Sequence, residues 1–140
     1  MNEVRRFRKE LHEAIDQLWK QPVHFGALEF DPDSNIAGHY IREGEFESAE
    51  MDISYLGNKR VRVNGFAVWG TAREFGPNVG ELDFEDELRD GKIAFSDEFS
   101  EKVYRAEITF RESGLTVEEN YVTGYFGLNV SFEGQYDKVN

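Results

Sequence analysis

The feature that most constrains this chain is a period-two alternation of apolar and mostly polar residues running from His39 almost to the C-terminus. Met51, Ile53 and Tyr55 follow it, as do Val61 and Val63, Leu82 and Phe84, Ile93 and Phe95, Tyr104 through Phe110, Leu115 and Val117, and Val130, Phe132 and Tyr136. Successive side chains of a strand point to opposite faces, so each run describes a ribbon with one buried face. In an antiparallel hairpin, facing positions have a constant sum, which makes register testable from the sequence. Pairing Tyr55 with Val61 and Ile53 with Val63 leaves a loop Gly57-Asn58-Lys59, whose Gly or Asn can take a left-handed conformation. Pairing Leu88 with Ile93 closes an Asp90-Gly91 turn. Pairing Phe110 with Leu115 and Ile108 with Val117 sets Tyr104 opposite Tyr121. Setting Tyr121 opposite Val130 then places Leu115 opposite Tyr136, around a loop Gly124-Tyr125-Phe126-Gly127.

These hairpins predict a mainly β fold: an antiparallel meander of about seven or eight strands over residues 37–137, curled into a small lipocalin-like barrel or a curled sandwich. Asn64-Gly65 interrupts one run, and a bulge at Gly65 is expected there, since Phe66-Ala67-Val68-Trp69 is apolar at both parities. Upstream the period changes. Val4, Phe7, Leu11, Ala14, Ile15 and Leu18 recur at steps of three and four, which predicts one amphipathic helix over residues 3–20, ahead of a connector at 23–36 with the turn cluster Asp31-Pro32-Asp33-Ser34-Asn35. A length of 140 residues fits a single domain, 1–140.

Sixteen Lys and Arg stand against 28 Asp and Glu, for a net charge of −12. The helical stretch is close to neutral, so the acid belongs to the β part. Such a surface repels phosphate backbones and anionic membranes, which predicts neither nucleic acid nor a membrane as partner. Solubility explains the charge in one reading, and steering toward a basic partner explains it in the other. No window approaches the roughly 18 apolar residues of a membrane span, the N-terminal stretch is charged throughout, and cysteine is absent, so a cytoplasmic protein without disulfides is expected.

The run Glu81-Leu82-Asp83-Phe84-Glu85-Asp86-Glu87 puts Glu81, Asp83, Glu85 and Glu87 on one strand face. That face reads as a solvated, aggregation-resistant strand or as a dock for a basic protein surface. Tyr125 and Phe126, between two glycines in a loop, read as exposed contact anchors. Tyr40, Trp69, Phe95, Tyr104 and Tyr121 read as core or as the lining of a cavity for a small apolar ligand. His12, His24 and His39 fall outside metal-ligand spacings, and the serines lie outside any nucleophile-elbow motif; no Walker loop is present. No cofactor, metal or catalytic residue is therefore expected.

The stretch Leu115-Thr116-Val117-Glu118-Glu119-Asn120, followed by Asn129-Val130-Ser131-Phe132-Glu133-Gly134-Gln135-Tyr136, resembles the end of a group of small bacterial β-barrel domains whose pattern is L-x-V-x-[DE]-N, a glycine-containing loop, then N-V-S-F-x-G-x-Y. Gly80-Glu81-Leu82, Asp90-Gly91 and Glu107-Ile108-Thr109-Phe110 are similar to the same group, over about residues 38–137. The resemblance implies a small barrel associated with lysozyme-inhibitor-like proteins. Where those domains carry cysteines near Arg105 and around Val122 to Gly124, this chain has none. Together these readings predict a non-enzymatic acidic binding protein for a basic macromolecular partner, inhibitor-like or immunity-like, with a carrier of a small apolar ligand as the alternative.

Overall fold

The computed structural model describes residues 31–71 and 76–139, so the helix expected over residues 3–20 and the connector as far as residue 30 lie outside the described residues. The turn cluster closes into a 3-10 helix, Pro32–Ile36. Eight antiparallel strands follow: β1 Gly38–Arg42, β2 Glu47–Gly57, β3 Arg60–Trp69, β4 Asn78–Glu87, β5 Lys92–Phe99, β6 Lys102–Arg111, β7 Gly114–Glu119 and β8 Gly134–Lys138. Their order in the sheet is β4-β3-β2-β1-β8-β7-β6-β5. The sheet curls until its two edge strands face each other, giving a nearly closed barrel. Among the described residues those edges touch in register only at one bridge, Arg89 with Lys92.

Local chemistry explains the hairpins. Asp90 and Gly91 both have positive φ (53° and 75°), the twist a two-residue hairpin turn requires. Tyr55 pairs Val61 and Ile53 pairs Val63. Phe110 pairs Leu115 and Ile108 pairs Val117, and Leu115 pairs Tyr136. The terminal sequence pattern thus forms one hairpin, in which the L-x-V strand β7 lies beside the G-x-Y strand β8.

Four expectations need correction. The bulge is not at Gly65, which sits in an unbroken ladder opposite Met51 and Leu82; the register shift falls between Tyr55 and Gly57, so the turn is Asn58-Lys59, both at positive φ. Gly65 is required for another reason: a Cβ there would stand 2.8 Å from the Phe132 ring. Leu88 and Ile93 flank the Asp90-Gly91 turn, but β4 and β5 diverge beyond it instead of continuing as a ladder. Tyr121 pairs with neither Tyr104 nor Val130, because β7 ends at Glu119 and the chain leaves the sheet until Gly134.

The interior is filled. Tyr40, Met51, Val63, Tyr104, Ile108, Phe132 and Tyr136 are each at most 2% exposed, with buried aliphatic residues of β2 to β7 packed among them. Each buried phenol finds an acceptor: Tyr40 Oη donates to the Ile36 carbonyl at 2.6 Å, Tyr136 Oη to the Phe132 carbonyl at 2.6 Å, and Tyr104 Oη to the Glu119 carboxylate. Apolar surface drives the closure, while these bonds spare the desolvated hydroxyls a penalty of about 1–3 kcal/mol each.

Candidate functional site

Two surfaces concentrate polar and aromatic side chains. The first is the outer face of β1 to β4. Cross-strand register places His39, Asp52, Asn64 and Asp83 in one row, and Ile41, Glu50, Phe66 and Glu81 in the next. A third row sets Ser54, Arg62 and Glu85 side by side, and Arg60 faces Glu87. The expected alternation along β4 is present: Glu81, Asp83 and Glu85 are exposed, Glu87 is half-buried, and Leu82 points into the core.

Arginines of β3 answer part of that charge. The Arg62 guanidinium donates to Asp83 at 2.8 Å and to Glu85 at 3.2 Å, and Arg60 lies 3.9 Å from Glu85. Arg89 pairs with Glu87 at 2.9 Å. His39 stands between two carboxylates, with Nδ1 2.6 Å from Asp52 and Nε2 3.4 Å from Glu50. Among the described residues Glu81 has no such cation. It flanks Phe66, a ring 40% exposed on a polar face, with Glu50 on the other side. A shallow groove of about 260 Å³ runs past these residues. Glu50, Asp52, Arg62 and Phe66 were not singled out by sequence, although parity with Glu81 and Asp83 across the hairpin register would have found them.

The second surface is the mouth of the seam between β4 and β5, closed by the segment Asn120–Glu133. This segment is held at both ends. Asn120 extends the ladder with its side chain, accepting from the Arg105 amide at 2.6 Å and donating to the Val103 carbonyl at 2.7 Å. Further on, the Gly127 amide donates to the Val79 carbonyl at 3.1 Å and Asn78 Nδ2 to the Leu128 carbonyl at 2.9 Å, so the segment takes the place a ninth strand would occupy beside β4. Glu119 anchors it from below: one carboxylate receives Tyr104 Oη, Ser131 Oγ and the Phe132 amide, the last at 3.1 Å.

Tyr125 and Phe126 are therefore half-buried plug residues. Tyr125 stacks on Tyr104 (centroids 4.3 Å apart, planes at 8°) and donates to Asp97 at 2.7 Å. Phe126 packs edge-on against Phe132 and lies over Gly80, where a Cβ would come within 2.9 Å of its ring. Burial, then the bond to Asp97, push the Tyr125 phenol well above its ordinary range; burial first and then Glu119 do the same for Tyr104. The rings continue across the seam, since Phe84 of β4 stacks on Phe95 of β5 at 4.6 Å and Phe95 meets Tyr104 edge-on.

Of the residues expected to line a cavity, Tyr40 and Tyr104 are sealed in the core, Phe95 and Trp69 are half-buried, and Tyr121 is 55% exposed, on the solvent side of the segment. His12 and His24 lie outside the described residues. Among the described residues no group of three or more His, Asp or Glu is placed to hold a metal ion, and no helix is long and apolar enough to cross a membrane. Compared with protein-family models, with curated proteins and with solved structures, the chain matches none.

Proposed function

We propose that this chain is a non-enzymatic binding protein whose acidic sheet face recognises a basic protein, in the manner of an inhibitor or immunity protein. The observation that carries this reading is the cross-strand clustering of Glu50, Asp52, Glu81, Asp83 and Glu85 around the exposed ring of Phe66. Glu50 and Asp52 of β2 and Glu81, Asp83 and Glu85 of β4 flank β3, whose Arg60 and Arg62 offset only part of their charge, so the face keeps an excess of negative charge for a basic surface to meet. An exposed aromatic within the charged rows supplies the desolvated centre that protein contacts use, and the charge around it steers encounter. Phosphate backbones and anionic lipids carry the wrong sign for this face.

The test is capture from native lysate by the immobilised chain at low and at high salt, beside a variant carrying Glu81→Gln, Asp83→Asn, Glu85→Gln and Glu87→Gln. Basic proteins retained at low salt, released at high salt and lost from the variant support the reading. Retention that ignores both salt and the substitutions refutes it.

A further inference from the structure

The seam mouth holds a second feature that the recognition reading leaves unused. A groove of about 470 Å³ opens between the diverging ends of β4 and β5. Its aromatic sides are Phe99, Tyr125 and Phe126, with Val79 opposite, and its carboxylates are Glu81 from β4 and Asp97 from β5. Phe99 is 37% exposed, its ring edge-on to Tyr125 at 5.7 Å, so part of its surface meets solvent. Asp97 accepts from the Tyr125 hydroxyl through one oxygen, and among the described residues its other oxygen has no hydrogen-bond partner.

Ring faces attract a cation through their quadrupole, and carboxylates complete the attraction at the rim. A planar guanidinium can stack on a ring and fork toward a carboxylate at once, whereas an ammonium does only one of these well. The acid on the rim also repels a second copy of this acidic chain. The geometry points to this groove as the receptor for an arginine side chain carried by the basic partner. The inference rests on the recognition reading and adds to it a specific pocket, apart from the outer rows of β2 and β4 except at Glu81.

The experiment is a titration of the ¹⁵N-labelled full chain with a blocked pentapeptide, arginine at its centre and alanine elsewhere, beside versions with lysine and with citrulline. Saturable shifts should centre on the amides of Gly80, Asp97, Phe99 and Gly127, and be strongest for arginine and absent for citrulline. Asp97→Asn and Phe99→Ala, in chains whose remaining spectrum is unchanged, should each weaken binding by about tenfold. Glu112→Gln, in the turn between β6 and β7, should leave it as it was. Shifts confined to residues 81–87 and 50–52, or equal in the groove variants, overturn the groove while leaving recognition by the outer face standing. No shift with any peptide, while salt-sensitive capture persists, likewise removes the groove alone. If capture fails as well, both fall.

Discussion

Glu119 is the residue on which the seam plug depends, and its replacement by Ala is the most informative perturbation of the fold. Its carboxylate serves three donors, Tyr104 Oη, Ser131 Oγ and the Phe132 amide. Tyr104 is 1% exposed and Phe132 fully buried, so each donor sits where the carboxylate is its acceptor in the intact fold. A bond to a charged acceptor contributes about 1.5–3 kcal/mol, and a stranded buried donor costs about 1–3 kcal/mol. With two donors stranded and Ser131 free to turn toward solvent, Glu119→Ala should cost about 3–5 kcal/mol. A domain of this kind has about 5–15 kcal/mol in all, so the variant folds but yields early. Urea unfolding followed by circular dichroism should show a midpoint lowered by roughly 2 M, at a slope of about 2 kcal/mol per molar. The decisive comparison is Glu119→Ala with Tyr104→Phe added, since removing the stranded hydroxyl while keeping the ring on Tyr125 should return about 1 kcal/mol or more. Costs that simply add, or a single-variant loss below about 1 kcal/mol, would show that the carboxylate is solvated and that the anchoring argument is wrong.

Three further outcomes follow from the same geometry. Gly65→Ala drives a methyl against Phe132 at 2.8 Å and should cost about 1–3 kcal/mol in the same urea assay, with Phe132→Leu recovering part of it. Burial holds the phenols of Tyr40, Tyr104, Tyr125 and Tyr136 above their ordinary range, so their contribution to stability is whole below about pH 10 and is lost as pH rises toward the folded values. Their phenolate absorbance at 295 nm should therefore appear together with loss of the β signal; ionisation of all four near pH 10 in an intact sheet contradicts the packing. Arg62→Ala removes an exposed cation from Asp83 and Glu85, so stability should change by less than about 1 kcal/mol while low-salt capture of basic proteins increases. Weaker capture would mean that Arg62 itself meets the partner.

Hairpin registers were legible because parity is strict: Tyr55 with Val61, Phe110 with Leu115 and Leu115 with Tyr136 can pair in no neighbouring register without turning apolar side chains outward. What escaped is what depends on distant residues. Asp90-Gly91 encodes its turn equally well whether or not β4 and β5 go on to pair, so the opening of the seam is decided by the closure of the whole sheet. Gly65 reads as a bulge until Phe132 is known to lie over it. Tyr125 and Phe126, flanked by glycines, read as exposed; the space that takes them in is made by Gly80, and the acceptor by Asp97, neither of them near in sequence. The acidic face was half legible: β4 shows its four carboxylates in one run, while Glu50, Asp52 and Phe66 join it only through register.

The pairing of β1 with β8 inverts the usual relation between chain and sheet. The strands nearest the two ends of the unit Asp33–Asn140 lie at the centre of the hydrogen-bonded array, and the mid-chain strands are its margins. Cleaving the backbone at Asp90-Gly91 accordingly sacrifices a single bridge, whereas trimming β8 severs the array into two four- and three-stranded leaves with no ladder between them. Two polypeptides parted at that turn are thus equipped to reassemble, and new termini placed there would leave the architecture its full complement of strand pairings.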